Sequence, residues 1–340
     1  MPLSEERTKL RNDDPLASKP LEQEPLMKVE HLCKYFPISK KETLKAVDDV
    51  TFTVRPRETV GVVGESGCGK STMGRCIVRL YHPTSGKIYY KGKDITQIKT
   101  QEERQEYCKS VQMIFQNPYS SLNPRMTVVD VVGEGIRLYH KDYSSAQVND
   151  KVVELLEKVG LGPEHMSRFM HEFSGGQRQR IGIARALSVS PKFIICDEPI
   201  SSLDVSIQAQ VINMLKNLQE EMGLTYLFIA HDLSVVKYIS DRILVMYLGS
   251  IMEQADVEDL YNHPLHPYTQ ALLSSIPVAD PIKARQEGQI IRGEVPSPIN
   301  PKPFCRFAGR CPYCESKCKE GIPELREVEP GHWVACYHVE

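Results

Sequence analysis

Two kinds of apolar pattern alternate along this chain. Compact runs at Val50–Val54, Thr59–Val63, Phe193–Cys196 and Thr225–Ala230 are rich in aliphatic and aromatic residues and too short for helices, so they read as strands. Ser110–Gln116 is another short apolar strand that ends on a glutamine, and the PTSG turn and KIYYKG run within Tyr81–Gly92 predict a hairpin region of an antiparallel layer. Elsewhere the spacing becomes helical. Thr72–Leu80, Val148–Val159, the basic Gln177–Leu187 and the amphipathic Val205–Glu221 all carry apolar residues compatible with one helix face. The stretch from Asn117 to Phe173, opened by the turn cluster NPYSSLNP, reads as a helical insertion. Strands alternating with helices predict an α/β core with a mainly parallel sheet, whose phosphate-binding loops belong at the C-terminal strand ends.

The pattern weakens at both ends. Residues 1–25 are rich in charge and proline, which predicts a flexible leader before an ordered domain that starts near Leu26. Beyond Tyr261 prolines multiply; HPLHPYTQALL at His263–Leu273 suggests a turn and a short helix, and residues 263–340 read as a small appended module. With 340 residues the chain can hold two domains, while 25% charged residues and a net charge of −2 give no sign of a nucleic-acid-binding surface. No apolar run approaches the roughly 18 residues that span a bilayer, and the N-terminus lacks the basic-then-apolar order of a secretory signal. The expectation is a cytoplasmic protein that meets a membrane only through partners.

The chemistry concentrates in three places. GESGCGKST at Gly64–Thr72 fits the phosphate-loop pattern G-x-x-x-x-G-K-[ST], with Gly64, Gly69, Lys70 and Ser71 in the required places. Glycine lets such a loop aim successive N–H groups at phosphate oxygens, lysine adds a cation and serine a hydroxyl for Mg²⁺. SGGQ at Ser174–Gln177 opens a helix, a second place where backbone donors can meet an anion. Asp197-Glu198 closes an apolar strand, and His231 ends another strand 33 residues later. Of the ten cysteines, Cys305, Cys311, Cys314, Cys318 and Cys336 crowd into the last 36 residues, which in a reducing compartment points to metal rather than disulfides. A bound metal would staple a proline-rich tail poor in apolar residues.

The phosphate loop, Gln116, SGGQ, Asp197-Glu198, SSLD at Ser201–Asp204 and His231 resemble, in order and spacing, the motif series of ABC transporter nucleotide-binding subunits over residues 26–262. FQNPYSSLNPRMTV at Phe115–Val128, the DVSIQAQV run, HPLHPYTQ and the closing cysteines are similar to the oligopeptide and dipeptide importer branch, which carries a C-terminal extension. The resemblance implies a P-loop ABC ATPase core with an antiparallel β layer and a helical subdomain, then a Cys-rich module over 263–340. It implies ATP at Phe36, Gly64, Ser66, Gly67, Gly69, Lys70, Ser71 and Thr72, with Tyr35 as an alternative to Phe36 at the adenine ring. Mg²⁺ would be held by Ser71, Gln116 and Asp197, with Glu198 as the base for the attacking water and His231 and Gln116 completing the catalytic set. Ser174, Gly175, Gly176 and Gln177, with Asp204, would close over ATP bound to a partner subunit, so that two chains sandwich two nucleotides.

The same resemblance implies a [4Fe–4S] cluster on Cys305, Cys311, Cys318 and Cys336, with Zn²⁺ as the alternative and Cys314 as an extra thiol. Phe173 and Ser202 depart from the family's usual leucine and alanine; neither removes a ligand. The implied partners are two membrane permeases, a second similar ATPase or a second copy, and an extracytoplasmic solute-binding protein, which places the chain at the cytoplasmic face of the membrane. A nickel or oligosaccharide importer, or a soluble ABC ATPase, are the competing expectations.

Overall fold

The computed structural model describes residues 24–117, 121–276 and 293–339. The expected leader, apart from residues 24 and 25, lies outside them, as does part of the proline-rich stretch after residue 276. Strands β1 (Met27–Pro37) and β2 (Thr43–Val54) pair antiparallel. β3 (Thr59–Val63) passes to a second sheet and leads through the glycine-rich loop into α1 (Lys70–Ile77). β4 (Ser85–Tyr90) and β5 (Lys93–Asp94) form the predicted hairpin and complete an antiparallel sheet of order β2-β1-β4-β5. The alternation in β1 is broken by a register shift near His31, whose φ of 49° marks a bulge, and this hides the strand from a period-two reading.

Helix α2 (Gln101–Ser110) precedes β6 (Val111–Ile114), the helical insertion follows as α3 (Val128–Tyr139) and α4 (Ser145–Lys158), and α5 (Gly175–Leu187) comes after it. Their starts are written in short polar side chains. The hydroxyls of Thr100, Thr127 and Ser144 accept hydrogen bonds from backbone amides in the first turns of α2, α3 and α4. β7 (Phe193–Asp197), α6 (Val205–Met222), β8 (Thr225–Ile229), α7 (Leu233–Ile239) and β9 (Arg242–Tyr247) continue the α/β alternation. β9 turns back into β10 (Ser250–Asp256) through Leu248 and Gly249, both at positive φ, which gives a two-residue turn matched to strand twist. The short helices α8 (Val257–Asn262) and α9 (Pro267–Ser274) and the strands β11 (Arg326–Glu329) and β12 (His332–Val334) complete the chain. The large sheet has the order β11-β12-β10-β9-β3-β8-β7-β6, parallel from β9 to β6 and antiparallel beyond.

Alternation along the buried strands divides the interior in two. Phe193 and Ile195 of β7 pack towards α1 and the antiparallel sheet, whereas Ile194 and Cys196 face the core shared with α3–α6. The large sheet is thus covered on both faces, which is why its strands read as continuous apolar runs rather than alternating ones. Among the described residues no helix is long and apolar enough to cross a membrane.

The C-terminal extension corrects one expectation. Among the described residues no group of three or more His, Cys, Asp or Glu side chains is placed to hold a metal, so neither the iron–sulfur cluster nor zinc on Cys305, Cys311, Cys318 and Cys336 is supported. Cys305 and Cys318 belong to the large apolar core, and Cys311 and Cys314 pack against it. Burial pushes the Cys305 and Cys311 thiols up to about 11. The extension is held by other means. β12 adds to the edge of β10, and buried Phe307 packs among Tyr247, Tyr268 and His266. Burying such a phenylalanine contributes about 1.5–3 kcal/mol. The Glu253 carboxylate, wholly buried, accepts from the amides of Leu265 and His266 and pairs with His332 Nε2 at 2.7 Å.

Candidate nucleotide-binding and hydrolysis site

Four neighbouring parallel strands end on one side of the sheet, and each delivers part of the site. The glycine-rich loop follows β3, His231 follows β8, Asp197-Glu198 closes β7, and Gln116 lies just past β6. Parallel pairing alone places these four chain-distant segments side by side.

The loop after β3 is shaped around its backbone. Gly64, Gly67 and Gly69 have φ of 149°, 78° and 108°. A Cβ on Gly64 would lie 2.1 Å from the Met246 carbonyl oxygen and one on Gly69 2.0 Å from that of Ala46, so both glycines are required by close approach. Gly67 and Ser66 instead face open space. Helix α1 starts at Gly69 with no side-chain cap and no acidic residue in its first turn, which leaves its amide donors and partial positive charge for a ligand. Lys70, 4% exposed, donates from Nζ to the carbonyl oxygens of Gly64 and Glu65 at 2.7 and 3.1 Å and has no carboxylate partner among the described residues. Phosphate is the ligand such a cradle suits.

Ser71 donates its hydroxyl to Asp197 Oδ1 at 2.6 Å. Asp197 is wholly buried; burial holds its carboxyl above the ordinary range, against the opposing effects of Ser71 and Arg75. Its second oxygen, Oδ2, has no hydrogen-bond partner among the described residues. An orphaned buried carboxylate oxygen beside a hydroxyl fits Mg²⁺, which Ser71 and Asp197 would hold. Glu198, next in the chain, adopts φ 44°, unusual for a side-chain-bearing residue, and its amide is fixed by a 2.9 Å bond to the Ile229 carbonyl. Its carboxylate lies between two other site residues: Gln116 Nε2 donates to Oε2 at 2.7 Å, and His231 Nδ1 lies 3.7 Å from the same oxygen. Glu198, Ser201, Gln208, His231 and Asp232 line one small cleft.

The second glycine motif lies elsewhere. Ser174 and Gln177 cap each other at the start of α5, the hydroxyl accepting from the Gln177 amide at 3.3 Å and Oε1 from the Ser174 amide at 3.1 Å. Ser174, Gly175, Gly176 and Gln177 share a concavity with Asp204 and Arg180 that contains no residue of the loop after β3. Near the antiparallel sheet, Tyr35 donates its phenol to Asp48, while Phe36 keeps a half-buried face, edge-on to Tyr81 at 5.5 Å and beneath Lys34. A lysine lies over each ring, Lys34 on Phe36 and Lys45 on Tyr35, both at 4.9 Å.

Sequence reasoning missed the outer supports of the loop. Arg310 of the extension reaches Glu65, a wildcard position of the motif 245 residues away, and Tyr268 accepts a hydrogen bond from the Glu65 amide at 3.0 Å. No spacing links these residues, so no local signal could have found them.

This fold and loop define an ATP-binding cassette. Residues 47–201 match the family described as ABC transporter, and residues 252–318 match the oligopeptide/dipeptide transporter C-terminal region. The dimeric ATP-binding cassette MJ0796, solved with ADP and Pi, is similar with a TM-score of 0.63 and 27% identity over 68% of this chain and 98% of that one. The putative oligopeptide transport ATP-binding protein YkfD of Bacillus subtilis is 56% identical over 92% of this chain and 95% of its own length. AppF of the same organism, an oligopeptide transport ATP-binding protein, is 53% identical over 93% and 98%. The chain belongs to the oligopeptide transport ATP-binding protein family of ABC ATPases.

Proposed function

We infer that this chain is the ATP-hydrolysing subunit that powers uptake of di- or oligopeptides by an ABC importer. The observation that carries hydrolysis is the convergence of Gln116 and His231 on the Glu198 carboxylate, one residue from the orphaned oxygen of Asp197. The peptide substrate class rests on likeness to oligopeptide transport proteins over nearly the whole chain.

In this reading the triphosphate lies along Gly64–Thr72, with Lys70 turning from the loop carbonyls towards the β and γ phosphates, and the adenine stacks on Phe36. Mg²⁺, when bound, neutralises phosphate charge. Glu198 accepts the proton of the attacking water, Gln116 orients that carboxylate and His231 faces the γ-phosphate. The concavity at Ser174–Gln177 and Asp204 closes over a nucleotide on a second ATPase, either another copy or a similar chain. ATP then joins the two cassettes and hydrolysis separates them, a population shift driven by ligand. Residues 26–262 act as the cassette and residues 263–340 as its extension. Two permeases hold the pair at the cytoplasmic face of the membrane, and an extracytoplasmic binding protein delivers the solute.

Deletion of the gene with scoring of labelled tripeptide uptake tests this reading. Uptake restored by the wild-type chain and not by Lys70→Ala is expected. Unchanged peptide uptake, with nickel or oligosaccharide uptake lost instead, would overturn the peptide assignment.

A further inference from the structure

The extension sends one short segment, Cys305–Arg310, against the back of the nucleotide loop, and the contacts there are more specific than packing requires. Arg310, 7% exposed, makes a two-pronged ion pair with Glu65, Nη1 to Oε2 at 2.8 Å and Nη2 to Oε1 at 3.0 Å. Its Nη1 also donates to the Tyr247 hydroxyl at 3.2 Å. A planar guanidinium held at both ends fixes a carboxylate in orientation as well as position. Glu65 is held at its backbone too, since its amide donates to the Tyr268 hydroxyl and its carbonyl accepts from Lys70. Tyr247, Tyr268 and Phe307 pack on one another, so the donors and acceptors around Glu65 sit on a rigid aromatic base.

The same segment touches the loop by a second route. Arg306, 2% exposed, pairs with Asp48, whose amide donates to the Gly249 carbonyl at 2.8 Å; the Gly249 amide donates to the Cys68 carbonyl at 2.9 Å. Two arginines on either side of Phe307 therefore bear on Glu65 and Cys68, two residues of the same loop.

We propose that Arg310 is a positioning residue for the ATP site, holding Glu65 so that the loop backbone is set for phosphate before nucleotide arrives. Arg310 touches no nucleotide; it acts through Glu65. Preorganisation of this kind spares the ordering cost of a mobile loop on binding, so its loss weakens affinity and loosens the loop. The proposal rests on the placement of ATP at Gly64–Thr72.

The test uses the full-length chain with Arg310→Met, Arg310→Lys, Glu65→Gln and the Arg310→Met/Glu65→Gln pair, together with Lys70→Ala. Affinity for a fluorescent ATP analogue, amide hydrogen exchange over residues 64–70 and the melting temperature without nucleotide are measured for each. Arg310→Met and Glu65→Gln should each weaken binding about tenfold and speed exchange in the loop, Arg310→Lys should recover part of both, and the double variant should match the singles. Additive losses, or a lower melting temperature with affinity and loop exchange unchanged, would overturn the positioning role. If Arg310→Met does not fold, Glu65→Gln, at a partly exposed position, decides the question alone. Unchanged affinity in Lys70→Ala would instead refute the placement of ATP, whatever the Arg310 variants do.

Discussion

The starts of α1 and α5 both carry glycines next to a serine, yet they are built in opposite ways. At α1 the cap is Gly69 in a left-handed conformation, no side chain satisfies the first amides, and the buried Lys70 reaches back to the Gly64 and Glu65 carbonyls. At α5 Ser174 and Gln177 satisfy each other's amides in a capping box, and the motif is partly or fully exposed. The first helix start is open to an anion that its own chain can surround. The second is closed on itself and shares its concavity with Arg180 and Asp204, where the proposed reading places a phosphate brought by another subunit. In the proposed reading one glycine motif binds this chain's own nucleotide and the other completes the site of a partner. On that proposal, pairing of two cassettes is required for hydrolysis, and the asymmetry is what the following variants test.

The largest expected effect tests the complete half. Glu198→Gln in the assembled transporter should lower ATP hydrolysis about 10²–10⁴-fold while ATP binding to the isolated chain is retained, because shape is kept and the proton acceptor is lost. Phosphate release and nucleotide affinity measure the two separately, and near-normal turnover would place the base elsewhere. The incomplete half is tested by Ser174→Arg. Its hydrolysis in the assembled transporter should fall at least about tenfold, through failure to populate the closed pair, with ATP affinity of the isolated chain unchanged. Collapse of that affinity would show that SGGQ serves its own chain's nucleotide and erase the asymmetry. Smallest is the cost of the self-cap: Ser174→Ala should reduce stability by about 1 kcal/mol, read from the denaturant midpoint. No loss would mean that the capping box contributes nothing to α5.

The parts of this site carried by short chemical words were legible. Gly64–Thr72, Asp197-Glu198, Gln116 and His231 each close or follow an apolar strand, and strands in an α/β alternation present their C-terminal ends together. The tail was harder. Cysteine spacing reports how much chain separates the thiols, not where the sulfurs point, and Cys305 and Cys318 turn into an apolar core instead of forming a ligand set. The tail's cohesion came from residues that look ordinary in sequence: Phe307 in an aromatic cluster, Glu253 beneath His332, and β12 on the edge of β10.

The sequence by itself determined the nucleotide loop, the acidic pair and the order of strands and helices, because glycine conformation, strand burial and helix capping act within a few residues. Only the tertiary structure decided that Gln116 and His231 meet on Glu198, and that Arg310 grips Glu65 from 245 residues away. Those contacts depend on which strands become neighbours and on where a late segment docks. Sheet pairing and burial settle both across the whole molecule, and no local spacing records the outcome.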